Sequence, residues 1–324
     1  MKSFGQNQEN TPFIKLVQSP SEASLRGLHS LSESTVWVSG SQGTFLRSID
    51  GGKSWKHGSI VDSVDFRDIH AFDANRAIVV SAGHPALIFI TGNAGDNWEL
   101  VYENQDEKVF LDAMDFWDGN KGVIFGDAID GKFFMLHTDD GGRSWSKLKT
   151  APKALEEEGG FAASGTNMII NSSGQIMIGT TEGRLITSDD QGRSWKWIQA
   201  PLESSKPTSG IFSIATTLEA ALMVGGDFSD QNGMNKNAAY LDEQGKWRIC
   251  LDKPPLGYRS GVAYVPDTAI AICTGPGGTD ISFDSGKHWS ILSNDGFHSV
   301  SFGKGQKSGW LSGANGRIAK IYIP

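Results

Sequence analysis

The sequence predicts an all-β protein, a seven-bladed β-propeller of four-stranded antiparallel blades, on three observations. Tryptophans recur at Trp55, Trp98, Trp145, Trp195, Trp247 and Trp289, spaced by 43, 47, 50, 52 and 42 residues. Between them lie short apolar runs separated by glycine-rich turns, which read as strands. One turn precedes tryptophan repeatedly, as "RSIDGGKSW", "HTDDGGRSW", "TSDDQGRSW" and "SFDSGKHW". A period in the forties with strand content is the size of one propeller blade.

Each repeat supplies four strands. In the second, "FRDIHAF" (66–72) alternates apolar and polar residues, as an inner strand with one covered face does. "AIVVSAG" (77–83) and "ALIFIT" (86–91) follow, then the turn, then "WELVY" (98–102). The turn pattern S/T-x-D-x-G-x-S/T-W resembles the Asp-box of sialidases and related propellers. Its Asp can accept hydrogen bonds from backbone N–H groups of its own turn. Its Gly permits positive φ, and its Trp packs the hairpin on the neighbouring sheet. Asp50, Trp55, Asp140, Trp145, Asp190, Trp195, Asp284 and Trp289 are therefore read as structural. "TGNAGDNW" (91–98) has Asn93 for Asp, and "LDEQGKW" (241–247) is one residue short. The last repeat holds three strands, "FHSVSF" (297–302), "SGWLSGANG" (308–316) and "GRIAKIY" (316–322). The N-terminal "PFIKLVQ" (12–18) supplies the fourth and closes the ring, making 1–324 one domain.

Composition agrees. Forty glycines against eleven prolines suit many tight turns, and 17 Phe with 10 Trp suffice for a large core. A net charge of −8 is opposite to that of a general nucleic-acid binder, so none is expected as a partner. No run reaches the roughly 18 apolar residues of a membrane helix, so no transmembrane segment is expected. Cys250 and Cys273 lie outside any CxxC. They are read as buried hydrophobes or as a cross-strand disulfide. The opening "MKSFGQNQENTPF" lacks an apolar signal core. The expected compartment is the cytoplasm, or the periplasm or exterior if a leader has been removed. A monomer is expected.

In a four-stranded blade the repeated turn joins strands three and four. Loops between blades, and those between strands two and three, then gather at the opposite rim around the channel mouth, where binding residues concentrate. The inner strands start "LRGLHSL" (25–31), "FRDIHAF" (66–72), "FLDAMDF" (110–116) and "YRSGVAY" (258–264). Aligned so, Arg26, Arg67 and Arg259 share one position, with His298 near the same rim. Three converging guanidiniums suit a carboxylate or phosphate. The alternative is that each pairs with a nearby acid such as Asp68 or Asp112. Asp127 and Asp130 in "GDAIDG", and Asp227 and Asp230 in "GGDFSDQNGMNKN", read as solvated loop acids, partners of the arginines, or oxygen donors to Ca²⁺ or a polar ligand. The second loop lacks the terminal Glu of a calcium loop, and no metal is expected. Glu156, Glu157 and Glu158, in a short acidic loop entering blade four at this rim, read as a solvated surface, with Glu158 the one that could instead line the mouth. Ser164 is not in a nucleophile elbow. His29 and His70 read as packed channel residues. The expected ligand site thus comprises Arg26, Arg67, Arg259, His298, Asp68, Asp112, Asp127 and Asp227.

Nearly the whole chain resembles the photosystem II stability/assembly factor family and its bacterial relatives, some of which carry an oxidoreductase label. The resemblance rests on the repeated blades and on "FRDIHAFD", "FLDAMDFWDGNKGVIFGDAIDGKFF", "EEEGGFAASGT", "VGGDF" and "GYRSGVAY". It implies a scaffold assisting assembly of a membrane complex, docking through an arginine patch at which Arg26, Arg67 and Arg259 would stand. The expected function is an interaction scaffold that binds an acidic protein segment or a small anionic ligand at an arginine-lined mouth. The alternative is an enzyme using that mouth, either an atypical oxidoreductase or a sialidase-like glycan hydrolase. Against the first, there is no G-x-G-x-x-G and no CxxCH, and no cofactor is expected. Against the second, there is no RIP motif, and Tyr258 has no evident Glu partner.

Overall fold

The computed structural model describes residues 11–324. Its regular structure consists of strands, arranged as seven four-stranded antiparallel sheets around a central channel. β1 (Phe13–Val17) belongs to the last blade. Blade one is β2 (Leu25–Ser30), β3 (Val36–Gly40), β4 (Thr44–Ser48) and β5 (Lys56–Ser59). Blade two is β6 (Asp65–Ala71) to β9 (Glu99–Asn104), and blade three is β10 (Leu111–Phe116) to β13 (Ser146–Lys147). Blade four is β14 (Met168–Ile170) to β17 (Lys196–Gln199), and blade five is β18 (Ser209–Thr216) to β21 (Trp247–Ile249). Blade six is β22 (Gly261–Tyr264) to β25 (Ser290–Ser293), and blade seven is β26 (Ser299–Phe302), β27 (Ser308–Ser312) and β28 (Ile318–Tyr322), with β1 as its outer strand.

Burial explains the strand sequences. Second strands are covered on both faces, so β3 "VWVSG" is buried throughout, whereas outer strands such as β17 "KWIQ" face water. The apolar clusters bridge blades. Trp37 of blade one packs with Phe66, Ile69 and Val79 of blade two, and Trp310 of blade seven packs with Leu25 and Val36 of blade one. Closure runs from Phe13↔Tyr322 to Val17↔Ile318, with the rings of that first pair stacked at 4.8 Å. It covers the edge of β28 that would otherwise be free to pair with another chain.

The repeated turns are held from within. Asp50 Oδ1 accepts the Lys53 and Ser54 amides, each at 3.0 Å, and the Ser48 hydroxyl donates to it at 2.9 Å. Asp140, Asp190 and Asp284 accept the amides of Ser144, Ser194 and His288 in the same way. Gly51 and Gly52 adopt φ of 76° and 81°, where a side chain would be strained. Trp145 and Trp289 donate their indole N–H to the Gly142 and Gly286 carbonyls within the turn. Trp195 donates instead to Thr150, and Trp55 packs edge-on against Trp310 of the closing blade. The Asn93 copy works too, accepting the Asn97 amide at 3.0 Å. Cys250 and Cys273 are both free and buried.

Side chains also bolt inner strands to one another. Asp68 accepts the Met114 amide of blade three at 2.6 Å, and Asp115 accepts the Ile170 amide of blade four at 2.7 Å. Ser213 accepts the Val262 amide of blade six at 2.9 Å, and Ser301 accepts the Ser30 amide of blade one at 3.0 Å.

Candidate functional site

The geometry of the mouth follows from one irregularity repeated around the ring. In the inner strands of blades one, two, three and five the register shifts by one residue at a β-bulge, between Leu25 and Gly27, Phe66 and Asp68, Leu111 and Ala113, and Ile211 and Ser213. The skipped residues are Arg26, Arg67, Asp112 and Phe212. A bulge re-aims the extra side chain. Here it stands at the rim end of each inner strand. In blades six and seven the corresponding residues are Ser260 and His298, whose amides bond to Thr274 and Ser312 just before the pairs Gly261↔Thr274 and Ser299↔Ser312.

This register corrects two sequence alignments. Asp112, not Leu111, is the counterpart of Arg67. Arg259 is not the counterpart of Arg26. The Leu25 amide bonds to the Gly313 carbonyl of the preceding blade, the Phe297 amide to Gly275 and the Arg259 amide to Gly225, at 3.0, 3.1 and 3.0 Å. Arg259 therefore occupies the place of Leu25 and Phe297, one residue before the bulge. A one-residue slip turns a side chain to the other face of the sheet. Arg259 accordingly points between blades, 1% exposed, with Nε 2.7 Å and Nη2 2.5 Å from Asp280 Oδ2. Its Nη1 donates to the Tyr258 carbonyl at 3.0 Å.

What meets at the mouth is a pocket of about 310 Å³ walled by Arg26, Arg67, Phe161, Phe212, Phe228, Tyr258 and His298, among others. One side is cationic. Arg26 Nη1 donates to the Ala163 carbonyl at 3.1 Å. Arg67 lies 3.8 Å from Asp65, with its Nε unpartnered. Burial, then the neighbouring Arg67, lower the proton affinity of Arg26. Burial, then Arg26 and Arg67, hold His298 down at about 3, so it is neutral at pH 7. The other side is aromatic. Phe161 stacks on Phe212 with centroids 3.7 Å apart, Tyr258 meets Phe212 edge-on at 4.7 Å, and Phe228 stands edge-on to both phenylalanines. A larger hollow of about 580 Å³ on the rim of blade one, by Gln42, His57 and Asp62, has no Arg, Phe, Tyr or Trp in its wall.

The pocket is a cup because the segment before β14 crosses the channel. Glu158, fully buried, anchors it through an ion pair with Arg184 and so does not line the mouth. Asp127 Oδ1 accepts the Gly160 amide at 3.0 Å, and Ser164 bonds Thr166 at 2.7 Å. Gly165 runs so close to Asp68 that a methyl group there would stand 2.3 Å from its Oδ1.

The remaining expected ligands lie elsewhere. Asp68 is a buried bolt between blades. Burial raises its proton affinity well above the usual carboxylate range, against two backbone N–H groups that lower it. Asp227 pairs with Lys206 at 2.7 Å, and Asp130 and Asp230 are exposed. Asp112 and Asp127 are drawn together behind the crossing segment. His29 and His70 are in edge contact at 4.6 Å in the channel, and burial presses both toward the neutral form. Sequence reading missed the aromatic shelf. Phe212 holds the same bulged position as Arg26, which is the signal that a bulge-aware alignment finds.

The protein is thus a seven-bladed propeller with a cup, half cationic and half aromatic, at one end of its channel. Residues 7–106 match the family described as photosynthesis system II assembly factor YCF48, which supports the family resemblance. Two solved YCF48 structures are similar over nearly the whole chain. One, described as YCF48 bound to D1 peptide, has a TM-score of 0.69 and 16% identity, covering 96% of this chain and 97% of that one. The other, YCF48 from Cyanidioschyzon merolae, has a TM-score of 0.66 and 15% identity, with coverages of 96% and 99%. The GH74 xyloglucanase of Xanthomonas campestris matches at a TM-score of 0.60 and 16% identity, over 95% of this chain and 53% of its own. At these identities the likeness is one of fold. No curated protein matches the sequence.

Proposed function

We propose that this propeller is a non-enzymatic interaction scaffold whose cup binds an anionic peptide segment or chain end. The observation that carries this reading is the pairing of Arg26 and Arg67 with the Phe161, Phe212, Phe228 and Tyr258 shelf in one pocket. Two half-buried guanidiniums that repel one another gain from a carboxylate placed between them. An aromatic wall adjoining them suits the apolar side chain beside that carboxylate. The YCF48 relative described with a bound D1 peptide supports a peptide as the ligand. No Asp or Glu stands in the wall, where a glycan hydrolase would place its paired carboxylates.

Calorimetric titration tests this with short peptides ending in Asp-Phe or Glu-Leu, each as the free acid and as the C-terminal amide. Wild type should bind the free acids, and Arg26→Ala with Arg67→Ala should lose that binding while keeping its melting temperature. Undiminished binding in the double variant, or no binding of any peptide to wild type, would overturn the assignment.

A further inference from the structure

Behind the cup lies a knot of buried polar groups that peptide binding does not use. Asp112 is 1% exposed; no N–H or O–H donor bonds its carboxylate squarely, and its nearest polar neighbour is the Asp127 carboxyl. Asn167 is fully buried and unpartnered at both amide atoms. The two side chains converge on Gly160, where a methyl group would stand 2.8 Å from Asp112 Cγ and 2.3 Å from Asn167 Nδ2. Asp127 closes the other side, accepting the Gly160 amide through Oδ1 and abutting Gly159. Each buried polar atom without a partner costs about 1–3 kcal/mol, so such a group in a native fold calls for an occupant.

The donors available are all oxygen. Asp112 offers two, Asp127 offers Oδ2, and the free amide of Asn167 can turn Oδ1 inward. Neither thiol nor imidazole takes part, which selects a hard cation over zinc or copper. Among the described residues no three His, Cys, Asp or Glu side chains form a metal cluster, and the third donor here is an amide.

We propose that Asp112, Asp127 and Asn167 bind one hard divalent cation of the Ca²⁺ class where the segment around Gly159–Gly160 crosses the channel. The protein supplies four oxygens, and waters complete the six to eight that Ca²⁺ takes. The ion joins blade three to the crossing segment next to Phe161, and so fixes the floor of the cup.

The test uses the full chain, freed of metal by chelator and titrated with CaCl₂ and separately with MgCl₂. One Ca²⁺ per chain is expected, bound more tightly than Mg²⁺, with a melting temperature that rises with Ca²⁺. Asp112→Asn should weaken binding at least about tenfold, while Asp230→Asn on its exposed loop should not. If Asp112→Asn does not fold, Asn167→Leu takes its place. Absence of binding up to about 10 mM Ca²⁺ would overturn the site in favour of a proton shared by the two carboxyls. Binding that survives both Asp112→Asn and Asn167→Leu would overturn it equally.

Discussion

Replacing Arg259 and replacing Arg67 should have opposite consequences. Arg259 and Asp280 are each 1% exposed and bonded to one another. Arg259→Ala leaves a carboxylate with no water and no counter-charge, a loss that costs about 3–5 kcal/mol for such pairs. Unfolding entropy near 60 °C is roughly 2.1 cal/mol/K per residue, so this corresponds to a fall of about 4–7 °C in a chain of this length unfolding as one unit. Arg67 is partly exposed, 3.8 Å from Asp65 and free of hydrogen bonds, so Arg67→Ala should cost less than about 0.5 kcal/mol. Scanning calorimetry measures the first effect, and peptide titration on the folded proteins measures the second. Arg67→Ala should lose affinity at unchanged melting temperature, and Arg259→Ala should do the reverse. Arg259→Leu combined with Asp280→Leu should recover most of the lost stability, because an apolar pair leaves no stranded charge. The register argument fails if Arg259→Ala melts within 1 °C of wild type, by the same roughly 2.1 cal/mol/K scale, and yet no longer binds peptide.

Phe228 is 46% exposed at the edge of the shelf, so Phe228→Ala should weaken peptide binding by about tenfold with little change in melting temperature; equal affinities would remove the shelf from the site. In the blade-three turn, hydrogen bonds led by the Ser144 hydroxyl hold Asp140 at about 2, below its unfolded value. The stability this confers is full above about pH 4 and is lost as pH falls through about 2, so melting curves of wild type and Asp140→Asn should converge at the acid end. Burial holds His29 at about 4, against roughly 6.5 in the unfolded chain. Below pH 6.5 the unfolded state takes up a proton that the folded state refuses, so stability declines from there to about pH 4. His29→Gln should flatten that slope, and an unchanged slope would show that this imidazole titrates freely.

The blades were legible because each is written in local chemistry. The turn needs an acceptor, a glycine and a hydrophobic anchor within a few residues, and each can be seen without knowing what lies across the sheet. Ring closure was legible for a similar reason, since three unmatched strands at one end and a lone strand at the other leave one way to cover both edges. The mouth was less legible because a β-bulge has no compositional mark. Matching "YR" at 258–259 to the "LR" and "FR" of blades one and two looks natural. Aligned on the paired registers instead, the inner strands read LRGLHS, FRDIHA, LDAMDF, IFSIAT, RSGVAY and FHSVSF. Their first position is Leu, Phe, Leu, Ile and Phe in five blades, so Arg259 stands in a core column and must bring its own counter-ion. The crossing segment was visible as an insertion, but that Glu158 turns inward to Arg184 depends on a partner 26 residues away.

The second column of that alignment is the mouth itself, and its order around the ring has a physical consequence. His298, Arg26 and Arg67 follow one another across blades seven, one and two, Asp112 comes next in blade three, and Phe212 and Ser260 occupy blades five and six. The positive charge is thus confined to one arc, with the aromatic shelf across the channel from it. A uniform cationic ring would accept any anion of the right size. A ring divided in this way orients what it binds, because carboxylate and apolar side chain cannot exchange places without placing a charge on phenylalanine and a hydrocarbon on arginine. The net charge of −8 is compatible with this, since Asp140, Asp190 and Asp284 lie in turns at the far end of the blades. At physiological ionic strength charges there are screened within about 8 Å. Asp65, 3.8 Å from Arg67, is the acid that tempers this arc, while Arg26 is held by the Ala163 carbonyl.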